Sequence, residues 1–236
     1  MVSPAREFES GRLQRDASDW KSYTIPFAVL IVLLVVRPYL GISPLLTQPL
    51  RALAVLAAIL VFSRGVIRPR PAWPVSSVLL GLAVFVIWVA PDVLFPGYRH
   101  FWLFDNALVR TSTSNLPAPA LRSGAWFVCF RLAGSILLVP IAEELFWRAW
   151  LMRRLISPRF EKVPLGTYSA EAFWLTAVLF ASEHGAYWDV GLAAGILYNW
   201  WMIRTRSLAD CILAHAATNA ALAAYVLLAH QWQYWN

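Results

Sequence analysis

Charge is scarce in this chain. Only 14% of its 236 residues are Asp, Glu, Lys or Arg, whereas soluble domains carry about 25%. With 59% hydrophobic residues there is too little polar surface to cover a soluble globule. An all-α, polytopic membrane bundle remains. Cysteine is scarcer still: Cys129 and Cys211 form neither a CxxC pair nor a disulfide framework. Both fall in apolar runs and read as small core residues. The N-terminal stretch Met1–Lys21 lacks an apolar h-region, so it is not a signal peptide. The first apolar segment must then serve as an uncleaved targeting element. No lipidation motif stands at the C-terminus, which reads Gln-Tyr-Trp-Asn. The zinc signature HExxH is absent, and Phe180 occupies the position where HxxEH would need a histidine.

What is abundant fits a membrane. Most of the 13 tryptophans sit near the ends of apolar runs, as an interfacial belt requires. The net charge of +7 comes from cations between apolar segments, which reads as topology signals and predicts no nucleic-acid partner. Residues 1–22 form a polar arm, 23–121 hold the N-terminal spans and a long connection, and 122–232 hold a C-terminal helical core. Seven segments are predicted, or eight if one boundary hides a break: about Tyr23–Leu40, Pro49–Phe62, Val75–Ala90, Arg122–Arg148, Ala170–Tyr187, Val190–Ile203 and Leu208–His230. The connection Phe95–Leu121 has room for a short interfacial helix. With the N-terminus inside, the inner regions hold fourteen Lys and Arg and the outer loops five, leaving Arg131 within segment four. The positive-inside bias predicts a cytoplasmic N-terminus and a cytoplasmic side for the Glu143 end of segment four.

Against that background, Ile141-Ala-Glu-Glu-Leu-Phe-Trp-Arg-Ala-Trp150 is the most informative stretch. Ionisable groups at the end of an apolar run are costly in a bilayer and mark a functional site by default. Glu144 and Arg148 are i,i+4 neighbours and can pair. Glu143 lies about 100° away around the helix and is left for other work. Segment five contributes Phe180-Ala-Ser-Glu-His184 and segment seven His215-Ala-Ala-Thr-Asn219, each again with i,i+4 ends on one face. Three polar faces in a chain that otherwise excludes polarity are expected to pack inward together. A carboxylate beside an imidazole can take a proton from water, and a second imidazole and an amide can donate to an oxyanion. That inventory suits hydrolysis of an amide or peptide bond. No serine or cysteine is placed as a nucleophile, because Ser182 points off the His184 face. A zinc shell of Glu143, His184, His215 and Asn219 is the competing chemistry. Helix glue or a proton relay in a transporter, immunity protein or secretion-system accessory protein is the non-enzymatic one.

The ordered trio Glu143-Glu144-Leu-Phe-Trp-Arg148, Phe180-to-His184 and His215-to-Asn219 resembles the EExxxR, FxxxH and HxxxN motifs of the CPBP family, the CAAX-protease or abortive-infection family of intramembrane proteases. Gly191-Leu-Ala-Ala-Gly195 and Ser207-Leu208 also resemble it, and the likeness covers about Ser123–Leu228. The stretch Phe160-Glu-Lys-Val-Pro-Leu-Gly166 is similar to a bacterial CAAX prenyl protease-related subgroup associated with exosortase and exopolysaccharide systems. The resemblance implies a glutamate-dependent, metal-independent endopeptidase of the bacterial inner membrane with no cofactor, acting on a membrane-anchored protein or peptide. It implies Glu143 as the base and His184 as the group that positions water. It implies His215 and Asn219 as the oxyanion site, Arg148 as the partner of Glu144, and Phe180 as a pocket wall for substrate. Family members often carry eight segments and continue beyond the HxxxN helix, whereas only a short stretch follows Asn219 here. With segment four ending near Arg148, simple depth arithmetic leaves Glu143 and His184 mismatched by about 10 Å.

Overall fold

A computed structural model describes residues 19–39, 41–68, 70–106 and 125–235. Among them are seven helices and no strand. We label them α1 (Lys21–Val36), α2 (Pro44–Ala58, continued by a π turn Ile59–Ser63), α3 (Pro74–Leu94), α4 (Ala125–Ile156), α5 (Ala170–Ser182), α6 (Trp188–Thr205) and α7 (Leu208–Ala229). The continued α2, α3, α4 and α7 are long and apolar enough to cross a membrane; α1 and α5 are shorter apolar helices. The polarity is inverted relative to a soluble protein. Val32, Val35, Leu53, Val61, Val75, Leu79, Val86 and Val178 are exposed, while Ser63, Ser77, Glu144, Arg148, Thr176, Asn199 and Asp210 are completely buried. Lipid is the solvent that such an exterior fits.

Helix α4 is the axis of the bundle. Pro140 has no N–H and its ring would crowd the Ile136 carbonyl. The turn just before it, Gly134–Leu138, opens into a π conformation, with Val139 N–H reaching back to Gly134 O. A second π turn, Leu145–Leu151, follows the glutamate pair. Single π turns inside α-helices frequently sit at functional sites because they rotate the side chains beyond them. Helix α1 packs on the far half of α4, where Phe27 stacks on Phe146 at 4.1 Å and meets Trp147 edge-on. Helix α3 crosses α7 at Gly81, where a Cβ would come within 2.3 Å of Ala214 O.

Asp210 locks this crossing. Completely buried, it accepts from the backbone N–H groups of Ala72 and Trp73 at 2.7 and 2.8 Å and from Ser77 Oγ at 2.8 Å. It thus caps the start of α3 with a carboxylate, where the helix dipole favours one.

Several boundaries differ from expectation. Helix α4 continues to Ile156, because Leu151, Met152 and Leu155 extend its apolar face and Arg153 stays in place by donating to Ala149 O and Val163 O under the rings of Tyr23 and Phe160. Helix α5 stops at Ser182, where Gly185 takes a positive φ. Cys211 is buried but Cys129 is exposed, so only one of the two is a core residue. The described part of the Phe95–Leu121 connection holds one 3-10 turn, Tyr98–His100. Residues 107–124 lie outside the described ones, as does the arm up to residue 18.

Candidate active site

The longer α4 removes the depth mismatch. Ile156 lies about 20 Å beyond Glu143, and His184 about 21 Å from Ala170, at 1.5 Å per residue. Both residues line one cavity of about 210 Å³, together with Phe180, His215 and Asn219.

The deepest part is a charge relay. Arg148 Nη1 donates to Glu144 Oε1 at 3.0 Å, and both side chains are fully buried. The guanidinium also donates to Asn199 Oδ1 at 3.1 Å and lies over the Phe180 ring at 4.3 Å. Asn199 in turn donates to Phe173 O at 2.8 Å. Sequence reasoning missed Asn199, although a lone amide within an apolar segment was a readable signal. Glu144 Oε1 takes a second bond from His215 Nδ1 at 2.9 Å. Glu144 Oε1, already accepting from the guanidinium, accepts here too, so Nδ1 of His215 carries the proton. Its Nε2 then faces Glu143 Oε2, 3.9 Å away. That separation is too long for a direct hydrogen bond, and Glu143 Oε2 is buried without a partner.

His184 sits just past the end of α5, where its Nδ1 lies 2.8 Å from Phe180 O. A carbonyl only accepts, so here too Nδ1 carries the proton and Nε2 is an acceptor. The ring is held between Phe180 and Trp88, with centroids 4.7 and 5.2 Å away. Gly191 makes room for it: a Cβ there would lie 3.1 Å from His184 Cγ. Gly195 likewise permits α6 to approach Ala177 and Phe180. Asn219 donates to Ser135 O at 2.8 Å. That carbonyl is free because the next π-type donor would be Pro140, which has no N–H. One hydrogen of the Asn219 amide remains for the cavity. Ser182 is exposed and bonded to Leu179 O, away from the site. Among the described residues no three His, Cys, Asp or Glu side chains converge in a metal-holding group.

Every residue singled out from the sequence is therefore drawn toward one place by α4, α5 and α7. Phe180, Glu143, His184, His215 and Asn219 line the cavity, while Glu144 and Arg148 lie behind it. The cavity runs from Glu143 toward Arg131, away from the cationic end of α4. A polytopic helical membrane protein with a sequestered carboxylate–imidazole centre is the class these features define. Residues 124–221 match the family described as type II CAAX prenyl endopeptidase Rce1-like. This match agrees with the CAAX-protease family that the three motifs resemble. No curated protein and no solved structure matches the chain.

Proposed function

We propose that the protein is an intramembrane glutamic endopeptidase in which Glu143 activates water against a peptide bond. The observation that carries this reading is the unpartnered, buried Glu143 Oε2 facing a cavity shared with two imidazole acceptors and an amide donor. Water held by Glu143 and His184 Nε2 attacks the carbonyl carbon as its proton passes to Glu143. The oxyanion that forms is met by the second hydrogen of Asn219. The proton held by Glu143 then passes to the leaving nitrogen and the C–N bond breaks, releasing a carboxylic acid and an amine. Glu144 acts at one remove: it fixes the His215 tautomer whose Nε2 faces Glu143, while Arg148 pairs with Glu144. The substrate is a membrane-associated protein or peptide, consistent with a site inside an apolar bundle.

The test is cleavage by purified, reconstituted protein. Glu143→Gln and His184→Ala are expected to abolish it, and a chelator to leave it intact. Full activity in both variants would refute the reading. Loss with chelator, restored by zinc, would point to the metal chemistry instead.

A further inference from the structure

Arg37 and Arg51 meet beside the turn between α1 and α2. Arg37 follows the last residue of α1, and Arg51 stands in the body of α2. Both line one cavity of about 70 Å³, several times the roughly 10–15 Å³ that a single water needs. Arg51 Nη2 donates to Oε1 of the buried Gln48 at 2.7 Å on the polar side. Leu33, Ile42 and Leu50 make the apolar side.

Neither guanidinium has an anion. Among the described residues the ion pairs belong to Arg99, Arg148 and His215. The charge that bears on Arg51 is Arg37, and both bear on Arg131 in α4. Cations gathered in this way, partly withdrawn from water and uncompensated, are costly. Ordinary roles do not account for them. The dipole of α1 favours a cation at Arg37, but Arg51 is not at a helix end. Snorkelling takes each side chain to water, not two of them into one cavity. With the N-terminus inside, both arginines stand on the outer side, where the positive-inside bias calls for no cations.

An oxyanion that accepts from both guanidiniums would relieve the repulsion, and phosphate oxygens match the guanidinium fork. The surroundings select its source. Val32, Val35, Leu46 and Leu53 are exposed on the same two helices, so acyl chains lie beside the cavity. We propose that Arg37 and Arg51 bind the phosphate of an anionic membrane lipid, its oxygens bridging the two guanidiniums and its acyl chains running along α1 and α2. The residues of this cavity are not those of the Glu143 cavity, so the inference does not rest on the hydrolytic reading.

Native mass spectrometry of the full chain tests it by counting the lipid that stays bound. The chain is released from neutral detergent containing equal dioleoylphosphatidylglycerol and dioleoylphosphatidylcholine. The anionic lipid is expected to be retained about tenfold over the zwitterionic one, as charge-assisted bonds to its phosphate require. Arg37→Gln combined with Arg51→Gln should abolish the preference, and each change alone should lower it. Arg68→Gln combined with Arg70→Gln, the same change of charge at exposed positions between α2 and α3, should leave it intact. Circular dichroism identifies a variant that does not fold, in which case the single variants and the two lipids on the unaltered chain decide. Equal retention of the two lipids, or a preference that survives the loss of both Arg37 and Arg51, overturns the proposal. So does loss of the preference in the Arg68 and Arg70 variant, which would assign it to net charge alone. Displacement of the lipid by millimolar inorganic phosphate would assign the site to a free anion and overturn it as well.

Discussion

His215 Nδ1 lies 2.9 Å from Glu144 Oε1, and through this contact one glutamate of an adjacent pair orients the imidazole that faces the other. The two carboxylates differ in role because they differ in neighbours. Glu144 has Arg148 and His215; Glu143 Oε2 has an open cavity.

Breaking the inner pair is expected to cost stability before it costs chemistry. Arg148→Met leaves Glu144 buried without its cation, and about 3–5 kcal/mol should be lost. The double variant Glu144→Gln with Arg148→Met should recover part of it, since no uncompensated charge remains. Thermal unfolding in detergent, read as a double-mutant cycle, checks this. Additive losses would contradict it.

Gly191→Ala tests the seat of His184. The added methyl lies 3.1 Å from the ring, so the imidazole must shift while the fold need not. Cleavage should fall by about tenfold to a hundredfold with the unfolding midpoint nearly unchanged. An unaltered rate would show that the position of His184 is immaterial.

Asp210→Ala removes the acceptor for two N–H groups and one hydroxyl at the start of α3. A loss of at least about 3 kcal/mol is expected from hydrogen bonds to a charged group. Asp210→Asn should cost less. The bond cleaved should not change in either variant, because the carboxylate does not line the cavity. A shifted cleavage position would give Asp210 a role in the site.

Much of this arrangement was legible because lipid makes polarity conspicuous. Glu143, His184 and His215 stand out in apolar runs, and i,i+4 spacing alone paired Glu144 with Arg148. The end of α4 was not legible: Arg148, Arg153 and Arg154 read as the edge of the membrane, yet Arg148 is neutralised inside and Arg153 is bonded to carbonyls of its own neighbourhood. The π turns were hidden as well, since Pro140 signals a disturbance without saying whether the helix kinks, breaks or widens. Asp210 was passed over because a carboxylate near a helix start has an ordinary explanation, and its partners lie more than a hundred residues away.

The most direct test compares the termini of membrane proteins in cells carrying the unaltered chain with those in cells carrying Glu143→Gln. At least one protein should show a new terminus that depends on the Glu143 carboxylate and disappears with the amide. Identical sets of termini, with the variant folded and present at equal abundance, would contradict a hydrolytic role for Glu143.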